Sequence, residues 1–166
     1  MKNRILTVLF CLVLLSGCSA HRESANPTEQ TDIPLQIGNP WKSYDSMEEA
    51  ATACGFAFPL PELVAGSYES ESYRVMNGQL MEVVYVSGEQ NVIVRMQSGE
   101  GQDISGVYGN VTKTESLEVN DVPVTHNLVG SGCLYLTSKD GFSYSLYVHD
   151  GCQENILQEF LLHICQ

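Results

Sequence analysis

From Tyr68 to His149 the chain alternates short runs of β-forming residues with residue pairs that tolerate positive φ, and this pattern confines it to antiparallel hairpins. Tyr68 to Met76 and Gln79 to Val86 flank Asn77-Gly78, the strongest short hairpin signal a sequence offers. Asn91 to Gln97 follows Ser87-Gly88-Glu89, and a short, glycine-flanked run covers Asp103 to Tyr108. Val111 to Val119 and Val122 to Leu128 flank Asn120-Asp121, while Gly132 to Thr137 and Phe142 to His149 flank Lys139-Asp140-Gly141. In the last run Phe142, Tyr144, Leu146 and Val148 share one face, and Ser143, Ser145, Tyr147 and His149 share the other. One dry face and one wet face is the mark of an open antiparallel sheet.

A helix is expected at each end of this sheet. Ser46 and Glu49 form an S-x-x-E capping box, Met47, Ala50, Ala51 and Cys54 fall on one face, and Gly55 stops the helix. Gln153 to Cys165 carries Ile156, Leu157, Phe160, Leu161 and Ile164 as an apolar stripe at helical spacing, with Asp150 and Gln153 as candidate caps. The expected fold is therefore α+β: a meander-like antiparallel sheet of seven or eight strands, with both helices packed on one face.

The first eighteen residues set the compartment. Lys2 and Arg4 precede an apolar run from Ile5 to Leu15, and Leu15-Ser16-Gly17-Cys18 follows. A basic head, a short apolar stretch and small residues at the cut define an export signal over 1–17. A cysteine at that cut is the acceptor for a diacylglyceryl and palmitate-type anchor. Two acyl chains hold a protein stably where one binds only marginally. Residues 18–38 read as the lipidated Cys18 and a flexible tether with a reach of roughly 25 Å, and 39–166 as a single globular domain. The expected location is the cell membrane, lipid-anchored on its extracytoplasmic face.

Two of the eight basic residues leave with the signal and none of the twenty acidic ones, so the formal charge moves from −12 to −14. Such a surface repels phosphate backbones, which excludes nucleic acid as a partner. The acids are scattered, so they read as solubility rather than as a cation store.

Outside the signal, Cys54, Cys133, Cys152 and Cys165 remain besides Cys18. Either register of the last hairpin sets Cys133 opposite Leu146 or Val148, and Cys152 begins the helix that follows, so these two thiols are expected to meet. By elimination Cys54 then pairs with Cys165. The alternative is four reduced thiols acting as small hydrophobes.

The chain lacks a nucleophile elbow, a phosphate loop, an H-E-x-x-H zinc motif and a calcium loop, and no catalytic residue, cofactor or metal is expected. His126, His149 and His163 do not converge by any spacing argument. The irregular stretch from Ser98 to Asn110 is the candidate binding loop, with Glu100, Asp103 and Tyr108 on it and Arg95 on the strand before it. The plainer reading is that its glycines serve bends or bulges and that Arg95 pairs with Asp103.

Asn39-Pro40-Trp41, Ser46-Met47-Glu48-Glu49-Ala50, Gly55-Phe56 and Val92-Ile93-Val94-Arg95 resemble the opening blocks of a family of exported lipoproteins. Asp103-Ile104-Ser105-Gly106 and Tyr144-Ser145-Leu146 resemble its later blocks. The family is similar to a domain of unknown function in Gram-positive gut bacteria, with relatives attached to anti-sigma-type regulators. The resemblance implies no activity. With no catalytic signature in the chain, the domain reads as a non-enzymatic binding or interaction module that meets an envelope protein, a peptide or a small ligand. The alternative, which the resemblance implies, is an envelope-sensing regulatory domain acting through a membrane partner.

Overall fold

A computed structural model describes residues 38–166, and Gly38–Gln166 forms one compact unit. The signal over 1–17, Cys18 and the tether before Gly38 lie outside the described residues. The elements in order are β1 (Trp41–Tyr44), α1 (Met47–Cys54), β2 (Leu63–Val64), β3 (Tyr68–Met76), β4 (Leu80–Ser87) and β5 (Gln90–Ser98). After a crossover come β6 (Val111–Val119), β7 (Val122–Val129), β8 (Gly132–Lys139), β9 (Phe142–Val148) and α2 (Glu154–Ile164).

The turn residues adopt the backbone their types allow. Asn77 and Gly78, Asn120 and Asp121, and Asp140 and Gly141 all sit at positive φ, between 50° and 83°. That is the conformation whose twist matches two antiparallel strands. At α1 the Ser46 hydroxyl accepts from the Glu49 N–H at 3.2 Å, and the Glu49 carboxylate accepts from the Asp45 N–H at 3.3 Å. Gly55 ends the helix at φ 76°. At α2 the expected cap does not form: Gln153 makes no side-chain cap bond, and the Asp150 carboxylate instead accepts from Ser131.

All the strands belong to one nine-stranded sheet in the order β1-β3-β4-β5-β9-β8-β7-β6, with β2 beside β3. Two expectations change. Trp41–Tyr44 and Leu63–Val64 are strands the sequence reading did not include, whereas 103–108 forms none. The sheet is also not one meander. β3-β4-β5 and β6-β7-β8-β9 are two meanders, and β9 returns to pair with β5 in the middle of the sheet. The crossover 99–110 must therefore run from the end of β5 to the far edge.

One buried cluster unites Ala50 of α1 with Val83, Tyr85, Val94, Tyr135, Tyr144 and Leu146 of the sheet and Leu157, Phe160, Leu161 and Ile164 of α2. The side chain of Ile156 lies outside the described ones. Phe160 meets Tyr68 and Tyr85 edge-on, with ring centroids 5.7 and 5.2 Å away. Such pairs add about 0.5–1.5 kcal/mol beyond the area they bury.

The face opposite this cluster is not simply wet. The crossover lies on it: the Gln102 N–H donates to Ser143 Oγ at 3.0 Å, the Gly101 N–H to Ser138 Oγ at 2.8 Å, and Ser143 Oγ to the Gly99 carbonyl at 2.7 Å. Ser143 and Ser145 are consequently buried, although their period in the sequence marks them as solvent-facing. Small hydroxyl side chains suit this position, because a backbone crossing a sheet needs both close approach and hydrogen-bond partners.

Candidate functional site

Four residues of the crossover region were candidates, and the structure does not gather them. Arg95 pairs with Glu82, not Asp103: its Nε donates to Glu82 Oε2 at 2.8 Å. Its Nη1 donates to the carbonyls of Ile104 and Ser105, so it pins the crossover to the sheet. Asp103 accepts from the Ser105 N–H at 3.0 Å and its hydroxyl at 2.7 Å, a local turn. Glu100 accepts from the Gly141 N–H at 2.9 Å. Tyr108 is 99% exposed. The group is a set of separate fastenings, with one ring left in solvent.

The sequence reading missed Glu82. Register aligns Arg74, Glu82 and Arg95 across β3, β4 and β5. Arg74 Nε and Nη2 both donate to Glu82 Oε1. The Trp41 ring lies over both guanidiniums, 5.1 and 5.5 Å from their central carbons. This is a buried carboxylate neutralised from both sides under an aromatic lid.

The groove beside α2 is of another kind. Its wall comes from β6, β7 and β8, where register sets Glu115 opposite His126 and His126 opposite Tyr135. The imidazole stacks on Tyr135 at 4.5 Å with the planes 5° apart. Its Nδ1 lies 3.5 Å from Glu115 Oε2, and its Nε2 lies 3.4 Å from Cys133 Sγ. Lys113 Nζ holds the other oxygen of Glu115 at 2.7 Å. The Lys113 hydrogen bond and, after it, the His126 ring hold the Glu115 carboxyl below its ordinary range. Leu117, Val119, Leu157, Gln158 and Leu161 complete a cavity of about 290 Å³.

Cys133 is buried and forms a disulfide with the exposed Cys152, with Cα atoms 5.7 Å apart. The register is Cys133 opposite Val148, as the two-residue turn at Asp140-Gly141 requires. The second pairing does not follow by elimination. Cys54 and Cys165 are free, and burial pushes both thiols up in pKa. His149 stays exposed beside Asp150, with Nδ1 3.0 Å from Oδ2. His126 is thus the histidine that meets a carboxylate and a sulfur together. The turn at Asn120-Asp121 already implied its pairing with Glu115.

Among the described residues no helix is long and apolar enough to cross a membrane. No protein-family model matches the chain, and neither does any curated protein or solved structure.

Proposed function

We propose that this chain is a membrane-anchored extracytoplasmic lipoprotein, held through Cys18, whose folded domain is a non-catalytic binding module for an extended peptide segment of an envelope protein. The anchor rests on the order basic head, apolar run, Leu-Ser-Gly-Cys at the start of the chain. The domain is read as α+β with both helices on one face of the sheet, a reading supported by the single buried cluster that Ala50 shares with Leu157, Phe160, Leu161 and Ile164.

The free outer edge of β6 carries the binding reading. β6 is nine residues long and ends the sheet, and among the described residues nothing pairs with its outer side. A strand edge offers a row of backbone donors and acceptors to an incoming chain. The groove lies directly beside it, so alternate side chains of an added strand would meet Leu117, Val119 and Leu161, with Glu115 and Glu118 at hand for a basic residue. Leu117 is an exposed large hydrophobic on that edge. The non-catalytic reading rests on Cys133: its sulfur stands next to His126 but is tied to Cys152, so it is not a nucleophile in this form.

Two experiments test the two halves separately. Labelling with a fatty-acid analogue should mark the wild-type chain and not Cys18→Ala; an unlabelled wild type overturns the anchor. Photo-crosslinking from Leu117 in membranes should capture one envelope polypeptide, and Leu117→Lys should abolish its recovery in a pull-down. Recovery unaffected by that change overturns the β6 groove. A transmembrane regulator recovered stoichiometrically would instead favour the sensory role.

A further inference from the structure

The disulfide lies within reach of His126, a residue of the groove wall, and the arrangement suits a metal ion once the sulfur–sulfur bond is open. We propose that in its dithiol form the chain binds one zinc-class ion through Cys133 Sγ, Cys152 Sγ and His126 Nε2, and that the disulfide is the metal-free state of the same site. This goes beyond the peptide-binding reading and does not depend on it.

Distance is the first argument. The ligand atoms of His126, Cys133 and Cys152 all lie within 4.8 Å of one another. Tetrahedral zinc has bonds of about 2.3 Å to sulfur and about 2.0–2.1 Å to nitrogen, so its donors stand roughly 3.5–3.8 Å apart. The His126 Nε2 to Cys133 Sγ distance is already 3.4 Å. Opening the disulfide lets the Cys152 sulfur retreat towards that spacing. Cys152 precedes α2 and is exposed, so its segment has room to move.

Orientation is the second argument. A metal-binding imidazole usually gives its other ring N–H to a carboxylate, which fixes the tautomer and strengthens the ligand. Glu115 occupies that place at Nδ1, and Tyr135 fixes the ring plane. The lone pair on Nε2 is thereby aimed at the sulfurs. Lys113 is held on the far oxygen of Glu115. Three protein ligands leave a fourth position for water or a ligand atom from the groove.

The chemistry balances with a thiol or phosphine reductant and a disulfide oxidant. Reduction places two electrons and two protons on the disulfide, giving two thiols. Binding of the ion releases both protons, since the thiolates are the ligands. In reoxidation an external disulfide accepts two electrons from the thiolates; it leaves as two thiols after taking up two protons, the protein bond re-forms, and the ion departs.

The test uses the full chain in detergent, reduced with a phosphine under anaerobic conditions and titrated with cobalt(II). The reduced chain should show a thiolate-to-cobalt charge-transfer band saturating at one equivalent, and the oxidised chain none. Cys133→Ala with Cys152→Ala should abolish the band. His126→Gln should weaken binding at least tenfold, and Glu115→Gln by about 10–100-fold. Zinc should also raise the unfolding temperature of the reduced wild type but not of His126→Gln. No band in the reduced wild type, or one that survives in the double variant and so belongs to other thiols, overturns the proposal. So does a reduced chain that unfolds and is not restored by zinc.

Discussion

Glutamine in place of Glu82 removes one negative charge from the interior and changes almost nothing in shape. Glu82 is 0% exposed, while the Arg74 and Arg95 side chains are 40% and 16% exposed. In Glu82→Gln two guanidiniums face each other across a neutral amide. Arg74 can turn part of its charge to water. Arg95 is held by the carbonyls of Ile104 and Ser105 and has less freedom. Losing one partner of a buried ion pair costs about 3–5 kcal/mol, and the exposure of Arg74 puts this case near about 3 kcal/mol. For a domain of this length that is a fall in Tm on the order of 10 °C. Urea unfolding followed by Trp41 fluorescence reads it directly, because Trp41 is the sole tryptophan and lies over both guanidiniums. A triple variant, Glu82→Met with Arg74→Leu and Arg95→Met, should recover much of the loss, since it removes the whole charge problem. A loss below about 0.5 kcal/mol in Glu82→Gln refutes the claim that this carboxylate is what neutralises the two arginines.

Tyr85 is pushed well above the ordinary tyrosine range by burial first, with Tyr73 and Glu62 adding to it, and its hydroxyl donates to the Pro61 carbonyl at 3.0 Å. A pKa raised in the folded state means the native form holds the proton longer, so stability is intact below about pH 10 and falls as pH rises beyond it, by up to about 1.4 kcal/mol per pH unit for this group. Denaturant titrations from pH 8 to alkaline pH should show a falling stability, and Tyr85→Phe should make that fall shallower, leaving the part due to Tyr68, Tyr144, Cys54 and Cys165, while costing about 1 kcal/mol at neutral pH. Phe160→Ala should lose about 3–5 kcal/mol in chemical denaturation, because the ring is fully buried between Tyr68 and Tyr85; a loss under about 1 kcal/mol would mean that α2 does not anchor the core. Gly106→Ala should destabilise the crossover and raise its protease sensitivity, since φ is 61° and an added Cβ would strike the Arg95 guanidinium; wild-type cleavage rates would contradict this. Alkylation of the native chain should modify the half-exposed Cys54 well before the buried Cys165, as read by peptide mass; equal rates would argue against the placement of α2.

Much of the sheet follows from local chemistry. The pair Asn120-Asp121 fixes a two-residue turn that implies Glu115 opposite His126, and the turn at Asp140-Gly141 leaves Cys133 opposite Leu146 or Val148, of which the structure takes Val148. The capping box and Gly55 bound α1 to the residue, and helical spacing picks out Leu157, Phe160, Leu161 and Ile164. The basic head, apolar run and Cys18 are likewise written in residue order alone. Register after Asn77-Gly78 was not legible. Met76 pairs with Leu80 rather than Gln79, and this shift of one residue puts Glu82, not Met81, opposite Arg74. What only tertiary structure decided is the joining of β5 to β9. That pairing links segments about fifty residues apart, and no turn residue encodes it. It sends the crossover over Ser143 and Ser145, buries a face that alternation marks as wet, and gives Arg95 its carbonyl partners in place of Asp103. Packing of α2 likewise decided that a groove stands beside β6 and leaves Cys54 and Cys165 unbonded. Turns and helix caps are short-range steric and hydrogen-bond effects, so the sequence states them. A long-range strand pairing is a choice among competing edges, and burial of the whole core makes that choice.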